Sequence, residues 1–313
     1  TVSDPNQSVA EDSGTSGTHT VSGWATNISV GPANESGQFN SVGFGFSVTV
    51  NSNSSLFTTN GQPAVSDGGT LTYTVVANAF GTASVTVELI DGGGTANVGD
   101  DDTSAPRPFT IEVKIDEDFS GSLSSDLQDA DSAYTIAGGT ISKTIFNNND
   151  DRHYIRTVDV NYIDNDFVAE LTFTLTNLPA PNFALHYFGI GPGIPDPTFF
   201  NEGTGVYFRI HSPQIISGGV DAVASPGGGV LTGGAIGNIT TNGGTHRARI
   251  SKSGSLVDFD IDRDFNGTFA SDMSSQIDLA TAAPFLNSSN SRIFFGTASA
   301  TDVFDDLLIT VTP

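Results

Sequence analysis

The feature that most constrains this chain is a series of short segments in which apolar and polar residues alternate. Residues 44–50, 71–76 and 83–89 show this pattern, and clusters of Asp, Gly, Asn and Ser separate them. Alternation with a period of two places the apolar side chains on one face of a β-strand. Short strands at this spacing are typical of a β-sandwich, and 36 Gly with 14 Pro disfavour long helices. We therefore predict an all-β fold.

The charge balance excludes one class of function. The 313 residues include 35 Asp and Glu against 11 Lys and Arg, a formal net charge of −24, and such a surface repels a phosphate backbone. A nucleic-acid partner is therefore not expected. No apolar run reaches the roughly 20 residues of a membrane-spanning helix, and the absence of Cys excludes disulfides and thiolate metal sites. We expect a mature or excised soluble segment of an extracellular or cell-surface protein.

A composition shift near residue 115 predicts two domains. The loop-like run 100–108 is followed by an alternating strand at 109–115, so we place a first β-sandwich at 1–115 and a larger one at 116–313. The lone Trp24 is interpreted as a core residue, because an isolated Trp commonly anchors a small sandwich. In the second domain, the clearest strands are 169–175, 206–211, 246–250 and 307–311. Gly- and Pro-rich stretches at 189–197 and 225–229 predict long loops.

The first domain resembles a known family. Residues 7–14, 21–38, 69–74, 77–83, 91–97 and 102–106 follow the order of one complete cadherin-like, Ig-like repeat of large bacterial surface proteins. The resemblance covers about the first 115 residues. It implies a spacer that presents other domains, often with Ca²⁺ at the junctions, and no catalysis.

The second domain resembles another family through an opening segment at 118–123, a hairpin from 247–254 into 257–262, and a closing segment at 304–309. Together they resemble a concanavalin A-like jelly roll, a superfamily that includes laminin-G-like modules, lectins and glucanases. The resemblance implies contact with glycans without choosing between binding and cleavage. It also implies a structural Ca²⁺ near the closing strand.

Three acidic residues at alternate positions, Asp258, Asp260 and Asp262, lie on one face of a predicted strand. A glycanase centre is one interpretation. However, retaining glycosidases hold two carboxyl groups about 5–5.5 Å apart, whereas positions i and i+4 of a strand are roughly 13 Å apart. The favoured interpretation is an ion-pair ladder: a turn at 253–254 places Arg249 opposite Asp258 and Arg247 opposite Asp260.

Two sets of oxygen ligands are candidate calcium sites. Asp262, Asp264 and Asn266, followed by Gly267, have the spacing of a calcium loop, although a polar turn built on Asn-Gly explains the same residues. The second set combines the acidic start of the domain with its acidic end, and its named ligands are Asp116, Asp118 and Asp305.

A candidate ligand site follows from the few cationic residues. Tyr207, Arg209 and His211 share one face of a strand, with Phe208 and Ile210 on the other. An aromatic platform with Arg and His donors suits an acidic glycan, because Arg binds carboxylate or sulfate through two parallel hydrogen bonds. We add Arg247 and Arg249 to this set. The alternative is that these Arg side chains neutralise neighbouring Asp residues.

These observations predict a non-catalytic extracellular segment for glycan binding or adhesion, with carbohydrate as the partner and an acidic polysaccharide as the candidate ligand. One alternative is a structural subunit of a surface filament that self-associates through strand edges. A second alternative is a polysaccharide-cleaving glycanase.

Overall fold

The computed structural model describes residues 2, 5–10, 17–30, 43–77, 79–91, 103–129, 132–144, 153–175, 184–192, 204–212, 217–227, 230–240, 244–269, 273–297 and 302–312. Within them the secondary structure is almost entirely strand, with a single four-residue α-helix, α1 (Leu279–Ala282), and 3₁₀ turns at Ser54–Leu56 and Tyr162–Asp164. The predicted all-β fold class is confirmed. The chain divides into two compact units, Thr1–Lys114 and Ile115–Thr312.

The first unit has two small sheets whose apolar faces form a common core. Its strands are β1 (Gln7–Ala10), β2 (Thr18–Val21), β3 (Gly45–Asn51), β4 (Ala64–Val65), β5 (Leu71–Thr74), β6 (Gly81–Ile90) and the part of β7 (Arg107–Glu117) that ends at Lys114. One sheet has the order β1–β7–β6–β3, with β1 parallel to β7, and the other has the order β2–β5–β4. Alternate residues of β5, β6 and β7 are fully buried, as the alternation predicts.

Trp24 lies in this core, so its interpretation as a core residue is confirmed. It is 3% exposed, its ring centroid lies 4.8 Å from that of Phe109, and its indole N–H donates to the carbonyl of Pro5 at 3.2 Å. Several segments that carry the cadherin-like resemblance, at 11–14, 31–38 and 92–97, lie outside the described residues.

The second unit is a sandwich of two larger sheets. Its strands are β8 (Leu127–Asp129), β9 (Tyr134–Ala137), β10 (Thr140–Lys143), β11 (His153–Thr157), β12 (Asp166–Leu175), β13 (Ala184–Gly191), β14 (Gly205–Ser212), β15 (Ser217–Gly227), β16 (Val230–Thr240), β17 (Gly244–Ser253), β18 (Leu256–Asp262), β19 (Ser274–Asp278), β20 (Arg292–Thr297) and β21 (Val303–Thr312). Sheet A has the order β19–β18–β17–β12–β21, with β10 and residues 115–117 of β7 both beside β21. Sheet B has the order β16–β15–β14–β13–β20–β11–β8.

Aromatic side chains join the two sheets. Phe208 of sheet B meets Phe259 of sheet A at 5.0 Å between ring centroids, and Phe295 of sheet B meets Phe304 of sheet A at 4.9 Å. All four are at most 2% exposed. Because side chains alternate along a strand, the neighbours of Phe208 and Phe295 point away from this inter-sheet core.

The hairpin of β17 and β18 has a different register from the one that the sequence predicts. Its two turn residues are Gly254 and Ser255, and Ser253 pairs with Leu256. Gly254 has φ +58°, and a glycine at the first turn position suits a tight two-residue hairpin. Arg249 therefore lies opposite Asp260, and Arg247 opposite Asp262. The shift is by two residues, so every side chain keeps its predicted face.

Two predicted loops begin within strands. Residues 189–191 end β13, and Ser225 to Gly227 end β15, where Gly227 pairs with Val230 of β16. The expectation of a long loop that begins at 225 is wrong, because Ser225 to Gly227 belong to β15; residues 228–229, like residues 193–197 of the other predicted loop, lie outside the described residues.

Candidate functional site

The outer face of sheet B holds a cluster of aromatic rings, which we call the aromatic face: Tyr154, Tyr187, Tyr207 and Phe294. Successive ring centroids lie 5.3 to 5.9 Å apart, and every contact is edge-on, an orientation that aromatic pairs favour. Each ring is at most 4% exposed. The cluster lies on the side of sheet B that faces away from the inter-sheet core, because each ring alternates with a residue that points inward.

Glycines provide the room for these rings. In the sheet register Gly189 stands between Tyr207 and Phe294, and Gly296 stands between Tyr154 and Tyr187. A Cβ atom at Gly189 would lie 2.2 Å from the Cβ of Tyr207, and one at Gly296 would lie 2.8 Å from a ring carbon of Tyr154. The large aromatic side chains therefore fit because their cross-strand neighbours are glycines, which have no side chain.

Arg209 lies at the edge of the aromatic face and pairs with Asp221, its cross-strand neighbour. Its Nη2 lies 2.6 Å from Asp221 Oδ2, and both side chains are 16% exposed. This is the arrangement expected from the alternative interpretation, in which Arg neutralises Asp. His211 belongs to the same strand, β14, but its side chain lies outside the described part of the structure.

Arg247 and Arg249 lie on the outer face of sheet A, because Ala248 and Ile250 between and beside them are fully buried. Arg249 Nη2 lies 2.9 Å from Asp260 Oδ2, and its guanidinium stacks over a ring at Phe269. The structure therefore brings Tyr207 and Arg209 together and places Arg247 and Arg249 on the opposite side of the sandwich. The five predicted ligand residues do not form one site.

The three alternating carboxylates of β18 all have other partners. Asp258 accepts a hydrogen bond from Gln276 at 2.7 Å, and Asp260 pairs with Arg249. Asp262 is buried and accepts from the backbone N–H groups of two following loop residues at 3.1 and 2.7 Å. Among the described residues, the ion-pair ladder is thus limited to the direct pair of Arg249 and Asp260.

The first candidate calcium set forms a hydrogen-bonded turn. The carboxylate of Asp262 binds the N–H groups of Asn266 and Gly267, and the side chain of Asn266 accepts from Thr268 N at 2.9 Å. Asp264 is exposed. These oxygens organise the loop backbone, as the Asn-Gly turn interpretation expects.

The second candidate set lies on neighbouring strands, as the resemblance implies, because Asp116 pairs with Leu308 of β21. Hydrogen bonding from Ser120, first through its side chain and then through its backbone N–H at 2.9 Å, lowers the pKa of the exposed Asp118 carboxyl. Burial, together with the nearby charges of Asp305 and Asp116, raises the pKa of Asp306. In the described ranges no group of three His, Cys, Asp or Glu residues is arranged to hold a metal ion, and Ca²⁺ stays a prediction.

A buried polar pair, which the sequence does not reveal, lies between the sheets. His186 Nε2 is 3.0 Å from Asp302 Oδ2, with side-chain exposures of 3% and 1%. The two atoms are in contact, but the ring nitrogens of His186 form no hydrogen bond with the described residues. Nearby, Tyr134 donates to the carbonyl of His153 at 2.7 Å, and burial raises the pKa of this tyrosine.

Two further arginines on the aromatic face were not predicted as site residues. Arg156 of β11 lies opposite Phe294 of β20, and Arg292 precedes Phe294 by two residues on the same strand, so both point to the same side of sheet B. They are 136 residues apart in the chain, and only the antiparallel pairing of β11 with β20 brings them together. No local sequence signal could have revealed this.

Comparison with known proteins gives distant structural likenesses. No protein-family model matches the chain, and no curated protein matches it. Winged bean acidic lectin in complex with methyl-α-D-galactose is 16% identical, with a TM-score of 0.40 over 63% of this chain and 97% of the lectin. The Emp47p carbohydrate recognition domain is 10% identical, with a TM-score of 0.43 over 63% of this chain and 94% of that domain. Alginate lyase PA1167 from Pseudomonas aeruginosa is 14% identical, with a TM-score of 0.35 over 57% of this chain and 83% of the lyase.

All three likenesses are distant, with TM-scores below 0.5. The helices in the described ranges are all too short to cross a bilayer.

Proposed function

We propose that the chain is a non-catalytic, extracellular glycan-binding or adhesion segment, in which the second unit binds carbohydrate on its aromatic face. The first unit, which resembles a cadherin-like repeat, serves as a spacer. The observation that carries this proposal is the cluster of four aromatic rings on a sheet face that the sandwich core does not use.

The physical argument concerns the two faces of sheet B. An antiparallel sheet commonly packs one face on the core and leaves the other to water. On the face of sheet B that forms the core, Phe208 and Phe295 already pack against sheet A. The rings on the second face are not needed to close the sandwich, and they form a second buried cluster, at most 4% exposed. We place the sugar over the border of this cluster, where the guanidinium groups of Arg156, Arg209 and Arg292 adjoin it.

The chemistry of the face suits a sugar. Arg guanidinium groups at the border of the ring cluster can donate hydrogen bonds to sugar oxygens, and the edge of an aromatic ring offers apolar contact to the C–H face of a pyranose. Three of the chain's 11 Lys and Arg residues belong to this face. Because the whole protein is strongly negative, this local concentration of Arg favours an acidic polysaccharide there over elsewhere on the surface.

Affinity gel electrophoresis with neutral, uronate-bearing and sulfated polysaccharides tests the proposal. The wild type should be retarded by at least one polysaccharide. Tyr207→Leu, which removes the ring, should weaken the retardation, whereas Tyr207→Phe, which keeps it, should not. Melting curves of both variants show whether the unit is folded. No retardation in any gel, or equal retardation of a folded Tyr207→Leu, would contradict glycan binding on this face.

One observation favours the filament alternative as a second candidate. Strand β16 is an edge strand of 11 residues without charge or Pro, its residues 232–235 are exposed, and within the described residues it pairs only with β15. Long uncharged edges pair with other chains. Light scattering over a concentration series tests self-association: growth of particle size with concentration that Ile236→Lys abolishes supports it, and a constant monomer mass contradicts it.

A further inference from the structure

The two arginines of the aromatic face lie across each other at one end of sheet B. Arg156 starts from β11 and reaches over β20, so that its Nη1 donates to the carbonyl of Pro192, just after β13, at 3.1 Å. Arg292 starts from β20 and turns back, so that its Nη1 donates to the carbonyls of Thr157 and Val158 at the end of β11. Arg156 therefore extends from β11 across β20 toward β13, and Arg292 extends from β20 back toward β11.

Neither charge is neutralised by direct contact. The remaining hydrogen bonds of Arg156, from Nε and Nη2, go to the amide oxygen of Gln128 at 3.2 and 3.1 Å, so all acceptors of both arginines are uncharged. Arg209, Arg249 and Lys252 form ion pairs with Asp, but in the described ranges Arg156 and Arg292 form none. Burial and the charge of Arg156 lower the pKa of Arg292, and Asp159 acts on it in the opposite direction without contact.

The free edge of Arg292 is suited to an anion. Its Nη1 is held by two backbone carbonyls, which fixes the plane of the guanidinium. Its Nε and Nη2 make no hydrogen bond with the described residues, and these two N–H groups form the edge that binds carboxylate or sulfate through parallel bonds. Two cations side by side in a partly buried site are costly by themselves, and a shared anion relieves their repulsion.

We propose that Arg156 and Arg292 form an anion subsite that binds one oxoanion of an acidic sugar, carboxylate or sulfate, side-on at Nε and Nη2 of Arg292. This proposal rests on the proposed function in one respect, because the aromatic face beside the subsite is the surface that binds the rest of the glycan. Arg156 and Arg292 thus replace Arg209, Arg247 and Arg249 as the residues that bind the acidic group of the sugar. The other three arginines contact Asp or aromatic side chains.

The first experiment tests the subsite without a polysaccharide. Melting temperatures of the wild type, Arg292→Lys, Arg292→Gln and Arg156→Gln are compared in sodium chloride, sodium sulfate and sodium glucuronate at equal ionic strength. Arg263→Gln, an exposed turn residue beyond β18 with the same charge change, is the matched control. Sulfate or glucuronate should raise the melting temperature of the wild type and of Arg263→Gln more than that of the Arg156 and Arg292 variants. Equal rises in all five proteins would overturn the subsite.

The second experiment uses uronate-bearing, sulfated and neutral polysaccharides in affinity gels. The Arg292 variants should bind the acidic polymers at least about tenfold more weakly than the wild type, or about 1.4 kcal/mol, with unchanged affinity for a neutral polymer. Arg292→Lys keeps the charge but removes the paired N–H donors of the guanidinium. Weaker binding by this variant would therefore show that the geometry of these donors matters. A folded Arg292→Lys with wild-type affinity for both acidic polymers would overturn the subsite. If no polymer retards the wild type, the proposed function fails, while the salt comparison still decides the subsite. A loss on only one acidic polymer identifies the oxoanion as carboxylate or sulfate.

Discussion

Replacing Gly189 by Ala should destabilise the second unit because the new Cβ has no space. It would lie 2.2 Å from Tyr207 Cβ, 2.4 Å from the carbonyl oxygen of Val206 and 2.7 Å from Tyr207 Cα. Ordinary carbon contacts begin near 3.5 Å, so β13 and β14 must separate by more than about 1 Å. Overpacking costs about 1–3 kcal/mol, and each stretched ladder hydrogen bond adds about 1 kcal/mol.

The expected loss is therefore about 3 kcal/mol in the free energy of unfolding. With an m-value of about 2 kcal/mol per molar urea, the unfolding midpoint of the second unit should fall by about 1.5 M, as measured by circular dichroism with Trp24 fluorescence marking the transition of the first unit. Gly234→Ala is the matched control, since Gly234 lies in β16 of the same sheet and its Cβ would meet nothing within 4 Å. It should change the stability by no more than about 0.5 kcal/mol. If both variants shift the midpoint equally, the stability of the sheet does not depend on the close packing of Tyr207 against the backbone of Gly189.

Three other results are expected. Asp302→Asn should destabilise the second unit by about 1–3 kcal/mol in urea unfolding, because it alters one member of a buried polar pair whose atoms lie 3.0 Å apart; a loss as small as that of an exposed substitution would contradict this. Burial, Asp305 and Asp116 raise the pKa of Asp306, so its ionised form disfavours folding at pH 7. Asp306→Asn should then raise the melting temperature at pH 7, and this gain should vanish below the ordinary Asp pKa of about 4, where folded and unfolded states are both protonated. Millimolar Ca²⁺ should raise the melting temperature by several degrees relative to EDTA, and Mg²⁺ should raise it less. Superimposed melting curves would show that the carboxylates of Asp116, Asp118 and Asp305 are only a solvated surface.

Alternation alone predicts which side chains share a face. It separates Tyr207 and Arg209 from Phe208 and Ile210, and the structure confirms this separation through the contact of Phe208 with Phe259. The alternation also holds for the hairpin of β17 and β18, where the pairing moves by two residues. The sequence does not fix the turn position, because Ser253-Gly254 and Gly254-Ser255 both contain a glycine; in the structure Gly254 takes φ +58° as the first turn residue.

The candidate site depends on long-range pairing, which alternation cannot supply. A period of two shows that Arg209 and Arg249 each leave the core, but it does not show that they belong to different sheets. Likewise, nothing near Arg292 in the sequence indicates Arg156 as its neighbour. The carboxylate of Asp262 has the spacing of a calcium ligand, yet two backbone N–H groups already occupy it. Spacing gives the residue types, and the fold decides which partners they meet.

The position of Trp24 allows unfolding of the first unit to be followed without a label. It is the only Trp of the sequence, and its ring lies against Phe109 inside the first unit, so intrinsic Trp fluorescence follows unfolding of residues 1–114 without contribution from the second unit. Circular dichroism follows the strands of both units. A single urea titration therefore yields two separate unfolding curves without any attached dye, in a protein that has no Cys for thiol labelling.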